Sequence, residues 1–248
     1  MKMVKIEEKD EIAIVRLSNG VTNPIGSQLV DDLSATLDEI KDHKKGMVLA
    51  GGEKFFSIGL NLPELVKLDR PGMVDFWTRF NNVNLKLYTL PLVTACAITG
   101  HAPAGGTVFA LNCDYRFAAE GKPLLGLLEI TLGLPVPYLT ELILRQVVNN
   151  REANDILYMG AFFSPAKGKE INLIDEVYPQ AEVELKAIEK IESIAKHPLQ
   201  ALAAMKQTKT EGIRLKYNKF FTKHNEAFID CWFSKESRKL LEKAVEKF

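Results

Sequence analysis

Two small-residue turns and one lone acid are the places where residue type and spacing in this chain could do chemistry. The first turn runs from Gly51-Gly52 through Phe55-Phe56-Ser57-Ile58-Gly59-Leu60-Asn61, directly after the apolar stretch Met47-Val48-Leu49-Ala50. The second, Thr99-Gly100-His101-Ala102-Pro103-Ala104-Gly105-Gly106, follows Leu92–Ile98 and leads into helix-forming residues. A small-residue turn between a buried strand and a helix leaves backbone N–H groups free at the helix start. Such donors suit a phosphate or a developing oxyanion. One turn of this kind is equally a device for tight strand-to-helix packing. Two of them could aim two N–H groups at one carbonyl oxygen. The acid is Glu129, in Leu124-Leu125-Gly126-Leu127-Leu128-Glu129-Ile130-Thr131-Leu132. A carboxylate in an apolar site has the raised pKa that a proton shuttle near neutral pH needs; on an exposed loop it would be a plain solvated acid.

Other chemistries find less support. His43 lies in a Lys-rich turn and His197 precedes Pro198, so both read as surface residues. His101 sits inside the second turn, where it could touch a ligand. Ser57 lacks a Gly-x-Ser-x-Gly elbow, which argues against an acyl-serine. Cys96, Cys113 and Cys231 show no metal-ligand spacing, and Cys96 and Cys113, in apolar settings, read as buried thiols of a reducing compartment; no metal site is expected.

The elements that must position these residues follow from periodicity. Met3–Glu8 and Glu11–Leu17 alternate as paired strands. Ser27 is the expected N-cap of a helix through Ile40, with Leu29, Val30, Leu33, Leu37 and Ile40 on one face. Met47–Ala50, Leu92–Ile98 and Tyr115–Ala119 read as buried strands. Leu62–Leu68, Met73–Tyr88 and about Ala104–Leu111 read as helices. Strands alternating with helices argue for a parallel sheet. From Pro137 onward almost everything reads as helix, broken at Asn149-Asn150, Ser164-Pro165, Pro179 and His197-Pro198.

Composition bounds the partners. With 32 basic and 32 acidic residues, net charge gives no reason to expect nucleic acid or a membrane surface, and no apolar run reaches membrane-spanning length. Lys206, Lys209, Lys216, Lys219 and Lys223 read as a solvated helix face, or as help in steering a polyanionic cofactor. A strand begins almost at the N-terminus, and Val245-Glu246-Lys247-Phe248 carries no peroxisomal address, so a cytoplasmic location is expected.

Phe-Ser-Ile-Gly-Leu-Asn-Leu (56–62), Gly-His-Ala-Pro-Ala-Gly-Gly (100–106) and Cys-Asp-Tyr-Arg (113–116) together resemble the crotonase superfamily of enoyl-CoA hydratases and isomerases. The resemblance covers nearly the whole chain. Ala-Pro-Ala-Gly-Gly, the Gly126–Glu129 context and Phe233-Ser234-Lys235-Glu236-Ser237 are most similar to the Δ3,Δ2-enoyl-CoA isomerases. It implies an α/β fold of repeated ββα units over 1–195, with a helical segment over 196–248 serving assembly as a homotrimer or a dimer of trimers. It implies that the Leu60 and Gly105 amides hold a thioester oxygen and that Glu129 is the catalytic acid–base. It also implies an acyl-CoA site at Phe56, Ser57, Ile58, Gly59, His101, Ala104, Val108, Leu134 and Phe233. Coenzyme A would belong to the substrate, with no separate cofactor. Trp232 and Phe233 read as core or trimer-contact aromatics, with acyl-chain or CoA contact as the alternative. Val108 stands where hydratases carry a second glutamate, and one glutamate suits moving a double bond better than adding water. A hydratase or hydrolase of the same fold would need Glu141 or another acid in compensation. A catalytically weak acyl-CoA-binding homologue is the remaining alternative.

Overall fold

A computed structural model describes residues 2–121 and 123–246; Lys247 and Phe248, within the C-terminal stretch read above as carrying no peroxisomal address, lie outside them. The strands are β1 (Val4–Lys9), β2 (Ile12–Leu17), β3 (Pro24–Ile25), β4 (Gly46–Ala50), β5 (Gly59–Leu60), β6 (Val93–Ile98), β7 (Ala102–Pro103), β8 (Tyr115–Ala119), β9 (Leu125–Gly126) and β10 (Glu176–Tyr178). The helices are α1 (Ser27–Ile40), α2 (Leu62–Leu65), α3 (Arg70–Tyr88), α4 (Gly105–Leu111), α5 (Tyr138–Val147), α6 (Asn150–Met159), α7 (Pro165–Glu170), α8 (Val183–Ala195), α9 (Leu199–Trp232) and α10 (Lys235–Val245).

The main sheet has the order β1-β2-β4-β6-β8-β10, antiparallel only between β1 and β2. Its central strands are mostly apolar because both faces are covered, the buried exceptions being Thr94 in β6 and Arg116 in β8. Met47, Leu49, Cys96 and Ile98 face the core that includes α1 and α3, while Val48, Ala50, Ala95 and Ala97 face Val183, Ala187 and Ile191 of α8. Two short parallel ladders, β3 with β5 and β7 with β9, lie outside the main sheet and carry the two donor turns. The long helix α9 returns over the core, where Phe228 stacks on Trp77 of α3 and His224 on Tyr138 of α5.

Several expectations are corrected. The cap of α1 is Gly26, not Ser27: the Ser27 N–H donates to Glu64 Oε1 at 2.9 Å, so a remote carboxylate does the capping. Helix α3 starts before Met73 because Asp69 accepts the Gly72 N–H at 2.8 Å and Pro71 occupies the first turn. Helix α2 is a single turn. The helical C-terminal half contains β10, three residues that extend the sheet beside β8. The lysine run is not one solvated face. Lys206 is 7% exposed, and it and Lys209 donate to Asp114 at 2.6 and 2.7 Å, leaving Lys216, Lys219 and Lys223 exposed.

Candidate active site

The two turns meet through their glycines. A Cβ added to Gly59 would lie 3.1 Å from the Gly105 nitrogen, and one added to Gly105 would lie 3.1 Å from the Gly59 Cα. Gly59 has φ +96°, a conformation that L side chains rarely adopt. The Asn61 N–H donates to the Ile25 carbonyl at 2.9 Å across the β3–β5 ladder. Strand alternation then aims the preceding amide, that of Leu60, away from β3. Gly105 opens α4, so its N–H has no acceptor within the helix. Ahead of it Ala104 is held at φ 46°, ψ −116°, a strained conformation for alanine, with its N–H donating to the Gly126 carbonyl at 2.7 Å.

Buried side chains fix these turns. Ser57 Oγ donates to the Asn23 carbonyl at 2.7 Å and accepts the Gly59 N–H at 3.1 Å. Asn23 Nδ2 donates to the Phe56 carbonyl at 3.1 Å. Thr107 Oγ1 donates to the Ala102 carbonyl at 2.5 Å and accepts the Gly126 N–H at 3.0 Å, tying β9 to the start of α4. Sequence reasoning gave Asn23, Glu64 and Thr107 no role; the visible signal was a polar residue inside an otherwise apolar or glycine-rich stretch. His101 is also a fastening point: its carbonyl accepts the Phe56 and Ser57 N–H groups, and its Nδ1 accepts the Leu124 N–H at 3.1 Å.

Glu129 opens a 3-10 turn, Glu129–Leu132. It lies three residues beyond β9, so its Cα stays within about 11 Å of Gly126, the residue bonded to Ala104. The residue keeps partial exposure through its other atoms, but Oε2 is sealed from solvent and has no hydrogen-bond partner among the described residues. Burial pushes the carboxyl pKa up to about 7. A carboxyl in this condition can both take and return a proton near neutral pH.

The remaining predicted residues divide by burial. Phe56 and Ser57 are fully buried and shape the first turn from inside, so a ligand would meet that turn at its main chain and at half-buried Ile58 and Leu60. Ala104 is half-buried, whereas Val108 and Leu134 are buried, and the Val108 N–H donates to the Ala104 carbonyl at 2.9 Å. Phe233 is half-buried, with the Arg70 and Arg238 guanidinium carbons each 5.8 Å from its ring centre. Glu141 is bonded to Arg145 along α5 at 3.0 Å. A cavity of about 400 Å³ between α3 and α9, with Trp77, Phe221 and Ile229 in its wall, includes none of the predicted residues. One of about 200 Å³ borders Gly100 and His101 of the second turn. Among the described residues no group of three or more His, Cys, Asp or Glu could hold a metal ion.

Residues 7–248 match the family described as enoyl-CoA hydratase/isomerase. The mitochondrial enoyl-CoA delta isomerase 1 of Mus musculus is 31% identical over 189 residues, covering 75% of this chain and 65% of the mouse protein, so the match spans just under two thirds of that relative. A putative enoyl-CoA hydratase of Thermus thermophilus is 28% identical over 211 residues, covering 83% of this chain and 82% of its own. The crystal structure of human mitochondrial delta3-delta2-enoyl-CoA isomerase superimposes with a TM-score of 0.94 at 25% identity, covering 99% of this chain and 97% of that one. The sheet with its outlying ladders is therefore the crotonase fold, and the chain belongs to the enoyl-CoA hydratase/isomerase family.

Proposed function

We propose that this chain is an acyl-CoA isomerase that moves the double bond of a 3-enoyl-CoA to the 2-position. The thioester oxygen sits between the Leu60 and Gly105 amides. Glu129 takes a proton from C2, the electron pair delocalises onto the held oxygen, and the protonated carboxyl returns the proton at C4. One such amide donor is worth about 3–4 kcal/mol of barrier. The observation that carries the reading is the sealed Oε2 of Glu129, without a hydrogen-bond partner among the described residues and on a carboxyl of pKa about 7, in a site whose second-acid position is the buried Val108. Coenzyme A meets the main chain of Phe56–Leu60 and Gly100–Gly105. The similarity to proteins named as isomerases supports this reading, and the similarity to one named as a hydratase supports the alternative of water addition.

We further assign the segment 196–248 to a homotrimer or a dimer of trimers; the exposed Met205 and Leu215 on α9 support that assignment. Three free thiols, two of them buried, suit a reducing compartment such as the cytoplasm. No described helix is long and apolar enough to cross a membrane.

The test is to supply 3-enoyl-CoA and 2-enoyl-CoA separately, following conjugated-thioester absorbance and water addition in parallel. The proposal expects rapid conjugation of the first and no comparable hydration of the second. Robust hydration with little isomerisation would transfer the assignment to a hydratase.

A further inference from the structure

We infer that Ser237, at the start of α10, is a positioning residue for Glu129, acting through one shared peptide group; the inference rests on Glu129 being the base. The Ser237 hydroxyl donates to the Gly133 carbonyl at 3.0 Å. That carbonyl belongs to the same peptide unit as the Leu134 N–H, which donates to the Glu129 carbonyl at 3.0 Å. A two-bond chain thus runs from α10, through the Gly133–Leu134 peptide, to the backbone of Glu129. A peptide that accepts at one end and donates at the other is polarised, so the two bonds strengthen one another, and rotation of this peptide would displace both.

The fit around this chain is close. Ser237 is 2% exposed, and its own N–H is held by Ser234 Oγ at 3.1 Å. Gly133, at φ 71°, closes the 3-10 turn, and a Cβ there would lie 2.6 Å from Ser237 Oγ. The opposite side of the turn is braced by Gly160, where a Cβ would come within 2.5 Å of Ile130 Cγ2 and 3.0 Å of Thr131 Cγ2. The turn is therefore gripped between the end of α6 and the start of α10. Of these two flanking elements, among the described residues, only α10 reaches the Glu129 backbone by directed hydrogen bonds, beside the turn's own bond from the Gly133 N–H to the Glu129 carbonyl. Ser237 touches no reacting atom; its contribution is to hold the carboxylate where C2 and C4 pass.

The experiment measures kcat and KM for 3-enoyl-CoA isomerisation in the full chain. Ser237→Ala is expected to lower kcat about tenfold while leaving KM within about twofold, since misplacing a reacting group costs rate rather than ground-state binding. Ser234→Ala removes the α10 cap but keeps the Ser237 hydroxyl, and its kcat should stay within about twofold of the parent. Equal losses in both variants would assign the effect to α10 stability and overturn the inference, as would full kcat in Ser237→Ala. Should Ser237→Ala fail to fold, Ser237→Cys keeps the size with a weak donor; an intermediate kcat supports the chain and a full one overturns it. Glu129→Gln in the same assay keeps the two failures apart. If it retains full activity the base assignment has failed, whereas loss there with none at Ser237 removes only the positioning role.

Discussion

Ionising Glu129 costs the fold free energy, and that cost is what tunes the residue for proton exchange. Burial raises its pKa from 4.5 to about 7, so between those values the folded chain holds a proton that the unfolded chain has released. Stability therefore falls as pH rises from about 4.5 to about 7 and is level beyond, a penalty of order 3 kcal/mol at most. Glu129→Gln abolishes the penalty together with the base. Urea melts at pH 5 and pH 8 should show the variant gaining on the parent at the higher pH, by up to about 3 kcal/mol. Its isomerisation kcat should fall at least about 100-fold with acyl-CoA binding nearly intact. In the parent, kcat should climb as pH rises through about 7, because the carboxylate is the working form. A parent without that climb, or a variant with parental kcat, would remove Glu129 from the reaction. The residue stands out in the sequence because it is an acid among leucines. Its missing partner could not be read there, because a hydrogen bond not made leaves no trace in residue order.

At the scale of elements, the turns depend on a contact that only glycine permits. Gly59→Ala places a methyl 3.1 Å from the Gly105 nitrogen and 3.2 Å from Ala104 Cβ, at φ +96°. The strain alone is worth about 1–3 kcal/mol. Relieving it means separating the two turns, so kcat/KM should drop at least about tenfold beside the loss of stability. Gly212→Ala is the informative contrast. It lies in α9 with nothing within 4 Å of the added carbon, and should stabilise the chain by about 0.5–1 kcal/mol in thermal melts. If both substitutions destabilise alike, the close approach at Gly59 is not what sets its cost. The buried strands were legible because β4, β6 and β8 are largely apolar on both faces, a pattern that survives without any knowledge of partners. What escaped was decided by distant residues. Glu64 caps α1 from 37 positions away, and β10 is too short to show a period until β8 lies beside it.

At the scale of the whole molecule, Asp114 fastens α9 to the sheet across 92 positions of sequence. Its Oδ2 accepts from the Thr94 N–H at 2.9 Å, the Thr94 hydroxyl at 3.0 Å and Lys206 Nζ at 2.6 Å, while Oδ1 accepts from Lys209 Nζ at 2.7 Å. Burial works to raise the Asp114 pKa, yet the two ammonium groups prevail and hold it down at about 2. Burial also lowers the Lys206 pKa against the pull of Asp114, so the pair is costly to strand. A depressed carboxyl stabilises the fold at pH above its unfolded value, near 3.8, and that contribution disappears as pH falls toward 2. The parent should thus lose about 2 kcal/mol from this residue on acidification through that window. Asp114→Asn leaves the Lys206 ammonium buried against a neutral amide and should cost about 3 kcal/mol at neutral pH. The same variant should lack the parental loss contributed by this residue between pH 4 and 2. Because the contact joins α9 to β6 and β8, hydrogen exchange should quicken first along α9, with the β4 and β6 amides protected until global unfolding. Uniform acceleration across sheet and helix would show instead that α9 and the core unfold as one unit, and a variant melting like the parent would show that the buried pair contributes nothing net to the fold.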